Sequence, residues 1–280
     1  MKMKKMISRY GELWDKINFS NLVEKDNPYS RLETIIEYTS TNKEIFEINN
    51  LTQSYKKFKN VKTIYEDINL KFYAGENVAI LGPNGAGKTT LVETICGTKK
   101  PTSGTIDFKF NYVNNPHERM GMQFQDLKFP SSLTVKDIIE FILDLSDLSD
   151  IEPNELNNLL NIFSLRDLLK IKASKLSGGQ QQRLNVFLSI IHKPQILVLD
   201  EFTTGLDIAI KNSMQYFIKN YVKENKISLI LISHDIDAID YLYDRVIILA
   251  DRHIKIDMSR KQVDKRFGTI KELLKQYIAY

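Results

Sequence analysis

The sequence predicts an α/β fold: a parallel sheet wound with helices around a phosphate-binding loop, preceded by an antiparallel β subdomain and interrupted by an inserted helical subdomain. Three observations carry this prediction. The stretch Gly82-Pro83-Asn84-Gly85-Ala86-Gly87-Lys88-Thr89-Thr90 fits the phosphate-loop pattern at every required position and follows the apolar run 77–81, which reads as a buried strand. A second apolar run, 196–199, ends in Asp200-Glu201. From residue 177 to residue 250, segments with helix and strand signatures alternate.

Taken in order, residues 1–45 read as an N-terminal helical extension. Ile7, Tyr10, Leu13, Trp14 and Ile17 share one helical face, and Ser30-Arg31-Leu32-Glu33 is a capping box that opens a short helix with Leu32, Ile35 and Ile36 inward. The main domain, 46–258, comes next. Residues 44–51 and 64–72 read as strands joined by the basic turn 56–62, and 105–110 as a third strand after the turn cluster 99–104. The phosphate loop leads into a helix at about 88–96. Helical periodicity over 135–145 and 155–169 marks the inserted subdomain, about 126–176. Helices are then expected at 177–192, 208–225 and 237–243, and strands at 196–199, 228–232 and 245–250. Residues 259–280 form a basic amphipathic tail. In it Thr269 and Glu272 cap a helix over 270–279 whose apolar face, Ile270, Leu273, Leu274, Tyr277 and Ile278, is expected to dock on the main domain, the alternative being an anionic membrane surface that Lys271, Lys275 and the upstream basic residues would suit.

Composition excludes several classes. With 42% apolar residues in 280, a substantial core is available, and the single Cys96 rules out a disulfide framework. The net charge of +4, from 39 Lys and Arg against 35 Asp and Glu, is too mild to argue for nucleic acid without a clustered patch. No apolar run approaches the roughly 20 residues needed to cross a bilayer. Lys2, Lys4 and Lys5 have no apolar stretch behind them, so no secretory signal is expected and the location is expected to be cytosolic.

The motifs assign chemistry. Glycines at 82, 85 and 87 permit backbone conformations that aim N–H groups at phosphate oxygens; Lys88 supplies an ammonium for the terminal phosphates, Thr89 a hydroxyl for Mg²⁺, and the following helix its positive dipole. The stretch is built for a nucleoside triphosphate. Ser177-Gly178-Gly179-Gln180, running straight into a helix, is a second donor-rich anion site. Asp200, at the carboxyl end of its strand, is positioned to orient the metal shell, and Glu201 to act on water as a general base.

With LSGGQ unaltered at 176–180, between the phosphate loop and the acid-tipped strand, the chain resembles the ATP-binding subunit of an ABC (ATP-binding cassette) transporter. The resemblance implies a P-loop NTPase core of the ABC type and ATP with Mg²⁺ as cofactors. It also implies Tyr55 as the aromatic that stacks on adenine (with Phe58 as the alternative), Gln125 as the glutamine near the metal (with Gln123 as the alternative), Asp207 as the aspartate following the acidic strand, and His234 as the histidine at the γ-phosphate. Glu201, His234, Gln125 and Lys88 become the catalytic set. Thr89, Gln125 and Asp200 become the metal set, and residues 82–90 with Tyr55, Ser177, Gly178, Gly179, Gln180 and Asp207 the nucleotide set. Two positions depart from the family pattern: Phe202 stands where Pro is usual, and Asn185-Val186-Phe187-Leu188 replaces smaller residues.

One phosphate loop and one signature make half of the family's machine. The resemblance therefore implies a second cassette subunit, whose nucleotide this chain's signature completes, and integral membrane subunits on whose cytoplasmic face the chain would sit; nucleic acid is not expected. The stretches after the signature and the acidic strand resemble exporter cassettes. The alternative is a soluble single-cassette ATPase in cofactor assembly; the short span from Lys88 to Ser177 excludes a long coiled-coil insertion.

Overall fold

A computed structural model of the chain describes residues 32–57, 60–123, 129–145 and 153–278. The chain divides into two compact units, Met1–Leu32 and Glu33–Tyr280, and every element described lies in the second. The amphipathic stretch 7–17 falls outside the described residues. In chain order the elements are β1 (Ile35–Ile36), β2 (Glu44–Lys57), β3 (Asn60–Tyr73), β4 (Asn77–Leu81), α1 (Lys88–Ile95), β5 (Ser103–Phe108), β6 (Met120–Gln123), α2 (Val135–Leu145), α3 (Pro153–Ile162), α4 (Gly178–Ile190), β7 (Ile196–Asp200), α5 (Ile208–Glu224), β8 (Ser228–Ile232), α6 (Ile236–Leu242), β9 (Arg245–Ala250), β10 (His253–Ser259), α7 (Arg260–Phe267) and α8 (Ile270–Tyr277).

Among the described residues, seven strands form one sheet in the order β1-β10-β9-β4-β8-β7-β6, and β3-β2-β5 form a second. Strands β9, β4, β8, β7 and β6 run parallel, with β10 antiparallel to β9. Strands β7, β8 and β9 are buried at every residue, as expected for parallel strands covered on both faces, which is why they read as unbroken apolar runs. The smaller sheet is antiparallel and packs Phe46 on Phe72 with ring centroids 4.2 Å apart. The bulky residues after the signature also have a structural reason. Phe187 meets Phe163 edge to face at 5.9 Å, and Phe163 meets Phe217 at 5.2 Å, so they tie α4 and α5 to the end of α3.

Two expectations need correction. The helix expected to open at residue 30 is not formed over Ile35 and Ile36, which instead form a strand parallel to β10, pairing with Ile256 and Asp257. Main-chain pairing at a sheet edge overrides the local capping signal, and Glu33 onward belongs with the large unit rather than with an extension running to residue 45. The helix expected over 155–169 ends at Ile162; Ser164 adopts φ +49, and a short 3₁₀ turn at Arg166–Leu168 follows. Leu165 nevertheless returns to the core, which keeps the apolar period going across the break.

The tail is helical, in two pieces. α7 has a capping box, Ser259 with Gln262, and α8 is capped by Thr269, whose hydroxyl accepts from the Glu272 N–H. Ile270, Leu273, Leu274 and Tyr277 are all buried, giving so short a helix the tertiary support it needs. Upstream, Arg245 is buried in bidentate contact with Asp257, at 2.6 Å on each arm, and joins β9 to β10. Its guanidinium carbon lies 4.0 Å from the Tyr38 ring centroid, and the Tyr38 hydroxyl donates to Glu76, so the segment after β1 is strapped to the sheet.

Candidate nucleotide site

β4 delivers the phosphate loop between β8 and β9, at the carboxyl edge of the parallel strands, where open α/β sheets bind ligands. Gly82, Gly85 and Gly87 have φ +152, +77 and +99. At Gly82 a Cβ would lie 2.1 Å from the Leu249 carbonyl oxygen, and at Gly87 it would lie 2.5 Å from Ile64 Cγ2, so close approach and backbone angle both demand glycine. No side chain caps the start of α1. Its first N–H groups are thus left for an anion. Lys88 is 7% exposed and donates to the carbonyls of Gly82 (2.8 Å) and Pro83 (3.1 Å). Burial lowers its pKa, and the charges of Glu201 and Asp200 oppose that shift.

The next strand pair supplies the acids. Asp200, at the end of β7, accepts from the Thr89 hydroxyl at 2.9 Å. Burial raises its carboxyl above the usual range, while Thr89 and Lys88 pull it back. Glu201 follows in the left-handed region at φ +54. Its N–H donates to the Ile232 carbonyl at 2.9 Å, and its own carbonyl accepts from the Thr204 N–H and from Gln182 Nε2, both at 3.1 Å. One carboxylate oxygen, Oε2, accepts from the Thr204 hydroxyl at 3.3 Å; Oε1 is buried without a hydrogen-bond partner and lies 3.8 Å from His234 Nε2. Burial raises the Glu201 pKa, against His234 and the Thr204 hydrogen bond. Phe202 is fully buried. A proline there would push the preceding residue toward extended conformations, so Phe202 is compatible with the left-handed Glu201.

These groups converge. Asn84, Gly85, Gly87, Lys88, Thr89 and Thr90 line one cavity of about 690 Å³ with Asp200, Glu201 and His234. His234 is held on a short loop whose neighbour Asp235 caps α6 and accepts from Lys211 (2.5 Å) and the Thr203 hydroxyl (3.3 Å). Lys62, Ile64 and Thr204 also line the cavity and escape sequence reasoning. Lys62 pairs with Tyr55 across β2 and β3, a register that only the folded sheet supplies.

Other expected residues lie elsewhere. Gly82, Pro83 and Ala86 belong to the loop but not to the cavity wall, and Gly82 and Pro83 serve through their carbonyls. Tyr55 is 41% exposed, with the Lys99 ammonium 5.6 Å from its ring centroid, and does not line the cavity. Ser177, Gly178, Gly179 and Gln180 are also absent from its lining. Ser177 caps α4: it accepts from the Gln180 N–H at 3.3 Å, and its own N–H donates to Gln180 Oε1 at 2.9 Å. Asp207 caps α5, accepting from the Ile210 N–H at 3.0 Å. Gln125 and Phe58 fall outside the described residues. Gln123 is buried on β6, and neither polar atom of its amide has a partner. Cys96 is buried, and burial pushes its thiol pKa well up.

The donor set fits a magnesium nucleotide. Mg²⁺ favours hard oxygen ligands and is held by one or two carboxylates, with water and phosphate completing its shell. Thr89 Oγ1 and Asp200 Oδ2 are two such oxygens, already adjacent at the cavity wall. Among the described residues no cluster of three or more His, Cys, Asp or Glu side chains could hold a metal.

A family model described as ABC transporter matches residues 65–204, half of the chain. The curated relatives include the spermidine/putrescine import ATP-binding protein PotA of Aggregatibacter actinomycetemcomitans, 31% identical over 232 residues that cover 81% of this chain and 61% of that protein. The methionine import ATP-binding protein MetN of Coxiella burnetii is 32% identical over 216 residues, covering 73% of this chain and 61% of its own length. The chain thus spans about three fifths of these relatives, and both carry import in their names, unlike the exporter cassettes suggested by the stretches after the signature and the acidic strand. Among solved structures, a dimeric ATP-binding cassette in a post-hydrolysis state bound to ADP and Pi is 24% identical with a TM-score of 0.68, covering 77% of this chain and 98% of that one. An ATP-binding subunit of an ABC transporter is 22% identical with a TM-score of 0.73, covering 83% and 99%. These two likenesses show the fold.

Proposed function

The chain belongs to the ABC transporter family, and from that premise we propose that it binds ATP with Mg²⁺ and hydrolyses it as one of two cassettes driving separate membrane-spanning subunits. The observation that carries the reading is the convergence of Lys88, Thr89, Asp200, Glu201 and His234 on one cavity. In it Lys88 and the loop N–H groups hold the phosphates. Thr89 and Asp200 hold the metal, which supplies charge neutralisation at the transferring phosphate. Glu201, with Oε1 unpaired, takes the proton of the attacking water, and His234 faces the same space. Tyr55 contributes an aromatic face for the base from the antiparallel subdomain, and Gln125 a polar group at the metal.

Ser177 to Gln180 stand apart from their own chain's cavity, which supports a head-to-tail pair in which each signature, with Asp207, completes the partner's site. Residues 46–258 would then be the cassette and about 126–176 the helical subdomain that passes motion to the membrane partner. Among the described residues no helix is long and apolar enough to cross a membrane; in this reading separate subunits supply the transport path. The names of the relatives favour import, with the cargo chosen by those subunits.

Purification in mild detergent tests the reading. ATP turnover that requires Mg²⁺ and stops with a chelator, in a complex containing an integral membrane subunit, is the expected result. Turnover by the chain alone, with no membrane subunit retained, would favour the soluble cassette.

A further inference from the structure

The signature helix contains one contact that capping, core packing and nucleotide contact leave unexplained. Gln182, in the second turn of α4, is buried, and its Nε2 donates to the backbone carbonyl of Glu201 at 3.1 Å. That carbonyl belongs to a residue at φ +54, a conformation that L side chains seldom adopt. The Thr204 N–H closes a turn on the same oxygen at 3.1 Å, and Ile232 accepts the Glu201 N–H at 2.9 Å. Among the described residues Gln182 is therefore the one side chain from another element that fixes the peptide following Glu201, and that peptide's orientation sets where the carboxylate points.

The neighbouring residues give this contact a mechanical setting. Gln180 is locked in the capping box with Ser177, and the Gln181 amide donates to the Leu176 carbonyl at 3.0 Å. Arg183 Nη1 donates to the Phe163 carbonyl at 3.0 Å, in the loop closing α3. The first two turns of α4 thus touch the signature loop, the end of α3 and Glu201 through successive side chains.

We propose that Gln182 is a positioning residue: it holds the Glu201 backbone in its left-handed conformation and so ties the aim of the catalytic carboxylate to the placement of the signature helix. This rests on the ATPase reading, in which Glu201 acts on water. The contact acts on the base and touches none of the phosphate-binding groups, so its loss should appear in the chemical step and leave ATP affinity alone.

The test uses Gln182→Met, unbranched and close in volume, with Gln182→Leu as a second variant, each in the intact transport complex. Turnover and KM for ATP are measured beside nucleotide affinity and melting temperature. A loss of about tenfold or more in kcat, with KM and affinity unchanged, is expected from misaiming one catalytic group. In a Glu201→Gln background the same substitution should cause no further loss, since no carboxylate remains to be aimed. Undiminished kcat in both variants, parallel changes in kcat and affinity, or an equal further loss in the Glu201→Gln background would overturn the proposal. If the variants melt much earlier, the background comparison still decides, because a folding defect lowers residual turnover there as well. A wild-type complex without turnover would refute the ATPase reading itself and is distinguishable from every outcome above.

Discussion

The two glycine-rich loops differ in what demands their glycines. In the phosphate loop the fold demands them: all three have positive φ, and a Cβ at Gly82 or Gly87 would collide with Leu249 or Ile64. In the signature nothing among the described residues does so. Gly178 has no atom within 4 Å of where a Cβ would stand, the nearest atom to a Cβ at Gly179 is 3.4 Å away, and neither has positive φ. Glycine lowers helix stability relative to alanine by about 1 kcal/mol in a helix interior, so two at the start of α4 bring a local cost with no local return. On the reading proposed above, residue types that the chain's own packing does not explain would answer to something outside it, the phosphates of a nucleotide held by a second cassette.

That contrast can be broken or sharpened by substitution. The largest effect expected is on turnover: Glu201→Gln should lower kcat by a factor of about 10² to 10⁴, the range of a general base, while ATP binding persists and a closed dimer accumulates on size-exclusion chromatography. Normal turnover by this variant would remove Glu201 from the role. Next comes the fold. Gly82→Ala should lower the melting temperature sharply or prevent folding, because the new Cβ meets a main-chain oxygen at 2.1 Å. Gly178→Ala should melt unchanged or a few degrees higher, given about 2–4 °C per kcal/mol for a domain of this size, and yet lose ATPase activity. A folded, active Gly178→Ala would dissolve the contrast.

A smaller effect concerns pH. Burial raises the Asp200 pKa in the folded, ligand-free chain, so the native state keeps this proton to higher pH than the unfolded chain does. The stability that Asp200 contributes is present below its unfolded value of about 3.9 and is lost as pH rises through the folded value. Asp200→Asn, which can still accept from Thr89, should therefore make the ligand-free protein at least as stable at neutral pH and flatten that stretch of its pH profile. Thermal melts at several pH values check this. A variant less stable at neutral pH, with the same pH slope, would contradict it.

The same contrast explains what the sequence made legible. The phosphate loop, the acid pair and the signature are contiguous, and their residue types answer to local chemistry. Strands β7, β8 and β9 were readable because burial on both faces leaves their interiors apolar, with Asp200, Ser228 and Arg245 only at their ends. β10 differs: Ile254, Ile256 and Met258 alternate with Lys255 and Asp257, yet both charged residues are buried too, Asp257 through its pairing with Arg245 from the adjacent strand, which the alternation does not reveal. β1 was misread because its pairing partner lies over 200 residues away, at Ile256. The Gln182 and Thr204 contacts to Glu201, and the reach of Lys62 to the cavity, arise from tertiary placement that no spacing rule encodes.

If the proposed head-to-tail pairing holds, a complete site needs two chains, and mixing two inactive variants tests this. Lys88→Ala removes the ammonium from its own phosphate loop, and Gly179→Asp places a carboxylate on the signature that serves the partner. In a mixed dimer the intact phosphate loop of one chain meets the intact signature of the other, so one site is whole. Partial ATPase activity in the mixture, absent from either variant alone, is the predicted result; no recovery from mixed dimers whose formation has been verified would contradict the claim.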